Sequence, residues 1–410
     1  MKDQLIYRAS ILLQQEKYEE AAKILKDLLA QDPNDVQVLA MMSECYLQKQ
    51  QYKEALQLIN TAIGISPQIA ALHYRKARTL LQDDKSKQAE EAIQEAINID
   101  PAQSAFYALW AMIQLNRKAF EKALDLANEA LELDPSDSLA LNIRSTALLK
   151  LNRAEESFET IAGALGDDPN NAYTHATYGW NLLEKGDHKK ALEHFRESLK
   201  LDPNFRLAQQ GMAQALKARY WGYRMFLKYS FWMSNLTEKY QWGVIIAFYF
   251  GYRALSNFAA ENPDLEPYLN PILLILAIFA FSTWVMAPLS NLFLRLNVYG
   301  KHLLTKNEIR SSNFVGISAL ALLIGGIGYG ITQFEPWLAL AGVGFAMMPI
   351  VGTMLTGRRK TLLIAYACIM GILGVGGIYA AFLTGNAFNG AITIFFFGFI
   401  AYQWIANIIR

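Results

Sequence analysis

Histidine and cysteine are scarce: 410 residues hold five and two of them. Cys45 and Cys368 lie one in each half, which excludes a disulfide framework and a thiolate set for zinc. His188 and His194 are six apart, off one helical face, and no H-E-x-x-H run occurs. A G-x-x-x-x-G-K-[ST] loop is missing, and so is a dinucleotide fingerprint after a strand. The sequence therefore gives no reason to expect a metal, a cofactor or an enzyme. The opening stretch MKDQLIYRASILLQQEKYEEAAK has no continuous apolar core and no small-residue cleavage site, so it does not read as a signal peptide.

Proline is also sparse, yet its placement is strict. In the first 205 residues it occurs only at Pro33, Pro67, Pro101, Pro135, Pro169 and Pro203, always 34 residues apart. A fixed period of this size means stacked structural repeats. With each proline set at position 32, position 8 holds Ala9, Ser43, Ala77, Ala111, Ser145 and Gly179. Position 20 holds Ala21, Ala55, Ala89, Ala123, Ser157 and Ala191, and position 27 is small in all but the first repeat, where it is Leu28. Small residues recur where two helices would cross closely. Position 24 is large and apolar in five repeats: Leu25, Ile59, Ile93, Ile161 and Phe195. Apolar spacing within each repeat is helical. A break near position 15 (QEKY, QQQY, NRKAF, KGDH) divides two helices. The Asp or Ser before each proline predicts an N-cap, with proline as the first helical residue.

On these residues the chain from 2 to 205 resembles six tetratricopeptide repeats, most clearly in AYTHATYGWNLLEKGDHKKALEHFRESLKLDPNF (172–205). Residues 206–217 are similar to the polar helix that caps such stacks. The resemblance implies a binding scaffold whose first helices line a groove for a peptide or partner helix, with positions 2, 5, 9 and 12 facing it. Those positions name Tyr74, Arg78, Met112, Asn142, Thr146, Tyr173 and Trp180 as partner-binding residues. It also implies self-association, hence a homo-oligomer. Position 5 reads Ile6, Ala40, Tyr74, Ala108, Asn142 and Ala176, so the Lys/Asn/Arg set that clamps a C-terminal carboxylate is absent.

The near-balance of charge hides a split. Residues 1–217 carry 25 Lys and Arg against 31 Asp and Glu, and residues 218–410 carry 13 against 6. The acidic first half argues against a nucleic-acid partner. In the second half the solvent changes. Six apolar stretches reach spanning length: Trp242–Ala260, Pro271–Phe293, Phe314–Thr332, Trp337–Leu355, Thr361–Leu383 and Asn389–Ile409. Lipid offers no partner to backbone polar groups, so these should be helices. Loops 261–270, 333–336 and 384–388 lack Lys and Arg. The alternating side holds Arg295, Lys301, Lys306, Arg310, Arg358, Arg359, Lys360 and Arg410. The positive-inside rule puts that side, and with six spans both termini, in the cytoplasm. The segment 218–241 is too charged to span. As one helix with Lys217 it would bring Lys217, Arg224, Lys228 and Lys239 onto one face above a ring-rich remainder, which predicts an interfacial helix against the bilayer.

Within the spans no Asp, Glu or His occurs, and Arg253 is the one deeply placed charge. A rhomboid-type protease is excluded, since GISA (316–319) replaces the required GxSG and His302 lies in a loop. Pro288 and Pro349 interrupt two spans, and IGGIGYG (324–330), with Gly326 and Gly330 four apart, suits close helix packing. The stretches YWGYRMFLKYSFWMS and 288–316 are similar to a membrane module joined to repeat domains in bacterial proteins, notably of Bacteroidota.

The expected architecture is all-α: a cytoplasmic solenoid over 1–217, an amphipathic interfacial helix over 218–241, and a six-helix transmembrane bundle over 242–410. The expected function is a non-enzymatic scaffold on a bacterial inner membrane. The alternative is a transporter, channel or lipid-handling protein assembled through its repeats; a third reading puts an enzyme site in the loop 295–313.

Overall fold

A computed structural model of the chain describes residues 2–295, 300–355 and 360–409. Arg358, Arg359, Arg410 and residues 296–299 of the basic loop lie outside the described residues. Among the described residues the regular elements are helices, without strands. The chain divides into two compact units, Met1–Asn181 and Leu182–Arg410.

The first unit is a run of antiparallel helix pairs: α1 (Lys2–Gln14) with α2 (Tyr18–Gln31), α3 (Val36–Gln48) with α4 (Tyr52–Ile65), and α5 (Ala70–Gln82) with α6 (Ser86–Ile99). Then come α7 (Ser104–Asn116) with α8 (Phe120–Leu133), α9 (Ser138–Lys150) with α10 (Ala154–Asp167), and the start of α11 (Ala172–Lys185). The periodic small residues sit at the crossings. Ala9, Ala21, Ala55, Ala77, Ala89, Ala111 and Ala123 have no accessible surface, and neither do Leu25, Ile59, Ile93 and Ile161 at position 24. Position 15 turns each pair through a left-handed residue, with φ of 59° at Glu16, 60° at Gln50, 59° at Asp84 and 63° at Lys118 and Asn152.

The expectation that the residue before each proline is an N-cap is corrected. Asp32, Ser66, Asp100, Asp134 and Asp168 instead follow the last residue of the preceding helix as C-caps. Proline then takes the second place of a β-turn, where its fixed φ is already suited. The Asp carboxylate closes that turn. Asp134 Oδ1 accepts the Ser136 N–H at 2.9 Å and Asp100 Oδ1 the Ala102 N–H at 3.2 Å. The true N-caps lie three residues later, as at Asp35 and Asp137, whose side chains accept from Val38 and from Leu139 and Ala140. Hydrophobic-Asp-Pro thus ends a helix and makes a turn.

The second unit contains α12 (His188–Leu201), α13 (Arg206–Lys217), α14 (Trp221–Asn235), α15 (Glu238–Glu261), α16 (Glu266–Arg295), a 3₁₀ turn (Gly300–His302), α17 (Lys306–Thr332), α18 (Pro336–Thr353), α19 (Lys360–Thr384) and α20 (Gly390–Ile409). Helices α15 to α20 match the six apolar stretches in position. Four segments among the described residues are long and apolar enough to cross a membrane: Glu266–Thr283, Lys306–Thr332, Pro336–Thr353 and Lys360–Thr384. Gly390–Tyr402 is a shorter apolar helix. Helix α15 falls short of that standard. It carries Tyr240, Trp242, Tyr249 and Tyr252, whose rings hold polar groups, and Arg253.

A single interfacial helix over 218–241 is not formed. After Asn235 the backbone turns extended at Leu236 (φ −82°, ψ 143°), and Thr237 starts α15. Gln241 donates to the carbonyls of Met233 and Leu236, each at 3.0 Å, and closes the break. Lys217, Arg224 and Lys228, and Lys239 therefore stand on three helices.

The bundle core gathers Val315, Val343, Ala346, Ile350, Leu363, Ile392 and Phe395. Two backbones approach through glycine. A Cβ on Gly325 would lie 2.5 Å from Ala341 N, and one on Gly344 2.6 Å from Leu322 N. Gly326 and Gly330, the pair the spacing picked out, face open space. They are turned away from the α18 contact that Gly325 makes and do not mediate this packing. Pro288 packs toward Gly352, where a Cβ would meet its ring at 3.0 Å, and Pro349 is buried. Ser311 Oγ donates to the Gly352 carbonyl (2.7 Å) and Tyr402 OH to that of Ile350 (3.3 Å), so the C-terminal carbonyls of α18 find donors inside the bundle.

Candidate functional site

In the first unit the predicted contact residues fall into two groups. Tyr74, on α5, stacks on Phe106 of α7 with ring centroids 5.3 Å apart. The Arg78 guanidinium lies 6.0 Å from the Tyr74 centroid. Both Arg78 nitrogens bond Glu44 of α3, at 3.2 and 3.3 Å, and Arg75 joins the same carboxylate at 3.1 Å. Two cations thus share one anion beside a ring pair; Phe106 is buried and the other four residues are partly exposed. Burial pushes the Tyr74 phenol above its ordinary value, while Arg78 pulls the other way. This patch can take a polar side chain on the guanidiniums and an apolar one on the accessible part of the Tyr74 ring.

The second group is further along the stack. Asn142 is 1% exposed, which removes it from a contact role. Its amide donates to Ser138 O (2.6 Å) and to Thr174 Oγ1 (2.9 Å), tying α9 to α11. Thr146 donates to the Asn142 carbonyl at 2.9 Å. Met112 packs beside Ala111, Leu126 and Ile143, and Tyr173 and Trp180 are half-buried on α11. Only Tyr74 and Arg78 of the seven are brought together around a shared charge. Glu44, Arg75 and Phe106 were missed by positional reasoning. The period could have found the first: Glu44 and Arg78 occupy the same position of adjacent repeats, 34 residues apart, and have opposite charge.

Family models described as tetratricopeptide repeat match residues 12–68, 49–113, 109–172 and 172–205. Residues 12–205 are tetratricopeptide repeats. Among solved structures, a tetratricopeptide repeat protein from Parabacteroides merdae is 14% identical, with 52% of this chain and 84% of that one covered and a TM-score of 0.47. PilF of Pseudomonas aeruginosa is 17% identical, with 52% and 97% covered and a TM-score of 0.41. YrrB, a tetratricopeptide repeat protein with an unusual peptide-binding site, is 17% identical, with 46% and 97% covered and a TM-score of 0.33. No curated protein matches the chain.

Past the tetratricopeptide repeats, the expected membrane-facing cations separate. Lys217 is 4% exposed, so it does not face phosphate as expected. It closes α13, which packs Ala213 against Leu294 of α16 and Leu304. Its Nζ lies 5.8 Å from the Tyr223 centroid. Burial pulls the ammonium down to about 8, with Glu308 opposing. That carboxylate is already engaged: Glu308 Oε2 accepts from the Thr305 N–H and hydroxyl, each at 2.8 Å, as half of the capping box of α17. Tyr223 is buried too and hydrogen-bonds Gln214, and burial pushes its phenol up. Asn291, on α16, keeps a buried Oδ1 that has no hydrogen-bond partner among the described residues.

Arg224 and Lys228 remain on the outer side of α14, and Lys239 is exposed on α15. Arg253 reaches Tyr249 OH at 3.4 Å. Among the described residues no cluster of His, Cys, Asp and Glu could hold a metal ion.

Proposed function

We propose that the chain is a non-enzymatic, membrane-anchored scaffold. Its cytoplasmic repeats recruit a protein partner, and the six-helix bundle fixes them to a bacterial inner membrane with both termini inside. The observation that carries this reading is the partly exposed Tyr74–Arg78–Glu44 cluster, backed by the buried Phe106 ring, on the first helices of a repeat domain, in a chain whose second unit has an aliphatic and aromatic core. Repeat stacks present extended surfaces of this kind.

The test uses the whole chain, because residues 182–205 belong to the second unit and a cut at 205 would damage it. Tagged wild type and the Tyr74→Ala/Arg78→Ala double variant are captured in mild detergent. The expected result is a co-purifying protein that the variant loses while still entering membranes. An identical set of co-purifying proteins from both would remove the patch as the docking surface.

A lipid-handling role is the second reading. It draws on a cavity of about 300 Å³ lined by Phe226, Tyr229, Ser230, Met233, Ser234, Gln241 and Thr283.

A further inference from the structure

Helix α14 carries its cations and its rings on one stripe. Trp221 is 72% exposed, and Met225 and Trp232 are each 51% exposed. They follow one another at helical spacing with Lys228 among them and Arg224 at the edge. The face opposite is buried through Tyr223 and Leu227. Beside the stripe is a narrow cleft of about 20 Å³, lined by Leu183, Gly186, His188, Ala218, Arg224, Leu227 and Lys228. It has room for one oxygen-sized group.

Three basic side chains converge on that cleft. His188 opens α12, Arg224 and Lys228 come from α14, and the Lys228 stem crosses the left-handed Gly186 turn, where a Cβ would sit 3.7 Å from its Cε. The nearby acids are engaged elsewhere. Asp187 accepts the Lys190 N–H at 3.1 Å as the α12 cap, and Glu184 accepts from Asn235 at 3.1 Å. Among the described residues neither Arg224 nor Lys228 forms an ion pair.

We infer that this cleft binds the phosphate of an anionic phospholipid, with one oxygen seated between Arg224, Lys228 and His188. The inference rests on the membrane-anchored reading. A free phosphate would need only the cations. The exposed Trp221, Met225 and Trp232 on the same stripe suit the acyl boundary below a headgroup, which favours the lipid.

The experiment uses the full chain in detergent with phosphatidylglycerol or phosphatidylcholine, and bound lipid is counted by native mass spectrometry. Wild type should retain phosphatidylglycerol in preference. The Arg224→Gln/Lys228→Gln variant should hold it about thirtyfold more weakly, the loss of two surface cations. The charge-preserving Arg224→Lys/Lys228→Arg variant should keep most of the binding. Equal retention by wild type and the glutamine variant would overturn the inference, as would displacement of phosphatidylglycerol by millimolar inorganic phosphate. Flotation with phosphatidylcholine vesicles separates the two readings. A chain that floats without lipid preference loses only this site, whereas one that does not float loses its membrane anchor as well.

Discussion

Replacing Lys217 with methionine should stabilise the protein at neutral pH. The lysine is 96% buried by its 4% exposure, lies over the Tyr223 ring, and has its one nearby carboxylate held in the capping box of α17. Its ammonium falls from the ordinary 10.5 to about 8. That difference is worth roughly 3 kcal/mol against the folded state. Below pH 8 both states hold the proton and the whole penalty stands. Between about 8 and 10.5 the folded lysine is neutral while the unfolded one still binds a proton, so stability rises with pH. Above that window nothing remains to relieve. Lys217→Met keeps the length of the stem and removes the charge. Its melting temperature should exceed wild type by about 5–10 °C at pH 7, and the gap should close as pH approaches 10. Tryptophan-fluorescence melts of the full chain in one detergent, at pH 6.5, 8 and 9.5, measure this. A variant less stable than wild type at pH 7 would refute the reasoning, and so would an advantage that does not change with pH. Either result would mean that the ammonium has a partner.

The turns and the bundle offer two sharper contrasts. Lys118 sits at φ 63°, where a side chain is strained, so Lys118→Gly should raise the melting temperature of the repeats, by about 0.5–1 kcal/mol of stability; a loss would show that the lysine stem matters more than its backbone. Gly325→Leu should disrupt the contact of α17 with α18, costing about 3 kcal/mol or more and seen as lost monodispersity in detergent, while Gly326→Leu, facing open space, should behave as wild type. Equal behaviour of the two would mean that α17 does not meet α18 closely at Gly325.

The repeats were legible because one period gives each position the same surroundings. A small residue seen six times at position 8 or 20 is a crossing, whatever the partner helix. The Asp-Pro motif misled because locally it fits two roles, a cap with proline at the first helical position and a turn. Which one holds depends on where the preceding helix ends, and that is set by packing. Lys217 failed for a related reason. Placing Lys217 through Lys239 on one arc assumed unbroken helix, yet the chain leaves the helix near Ala218–Tyr220 and again at Leu236 with no proline to announce either. Gly325 could not be told from Gly326 because the periodicity of a helix apolar all round does not mark the face that meets a neighbour. The Glu44–Arg78 pair was within reach, since it joins equivalent positions one period apart.

Composition and packing draw the boundary of the chain at different places. Charge changes sign and aromatics gather near residue 218, which marks where the composition turns to that of the long apolar helices. Compactness changes earlier, inside α11, at Asn181–Leu182. Helices α12 and α13 read as repeat and cap by period, yet they are built into the second unit, where Ala213 and Leu216 join Leu294, Leu303, Leu304 and Ile309 in one apolar cluster. A capping helix normally offers water a polar outer face. Here that helix instead buries alanine, leucine and even Lys217 against α16 and the start of α17. The sequence period conceals this: it assigns α12 and α13 to the stack, whereas within the second unit α13 supplies an apolar footing to α16 and the start of α17. Any perturbation at this footing, such as the charge on Lys217, acts on the second unit first.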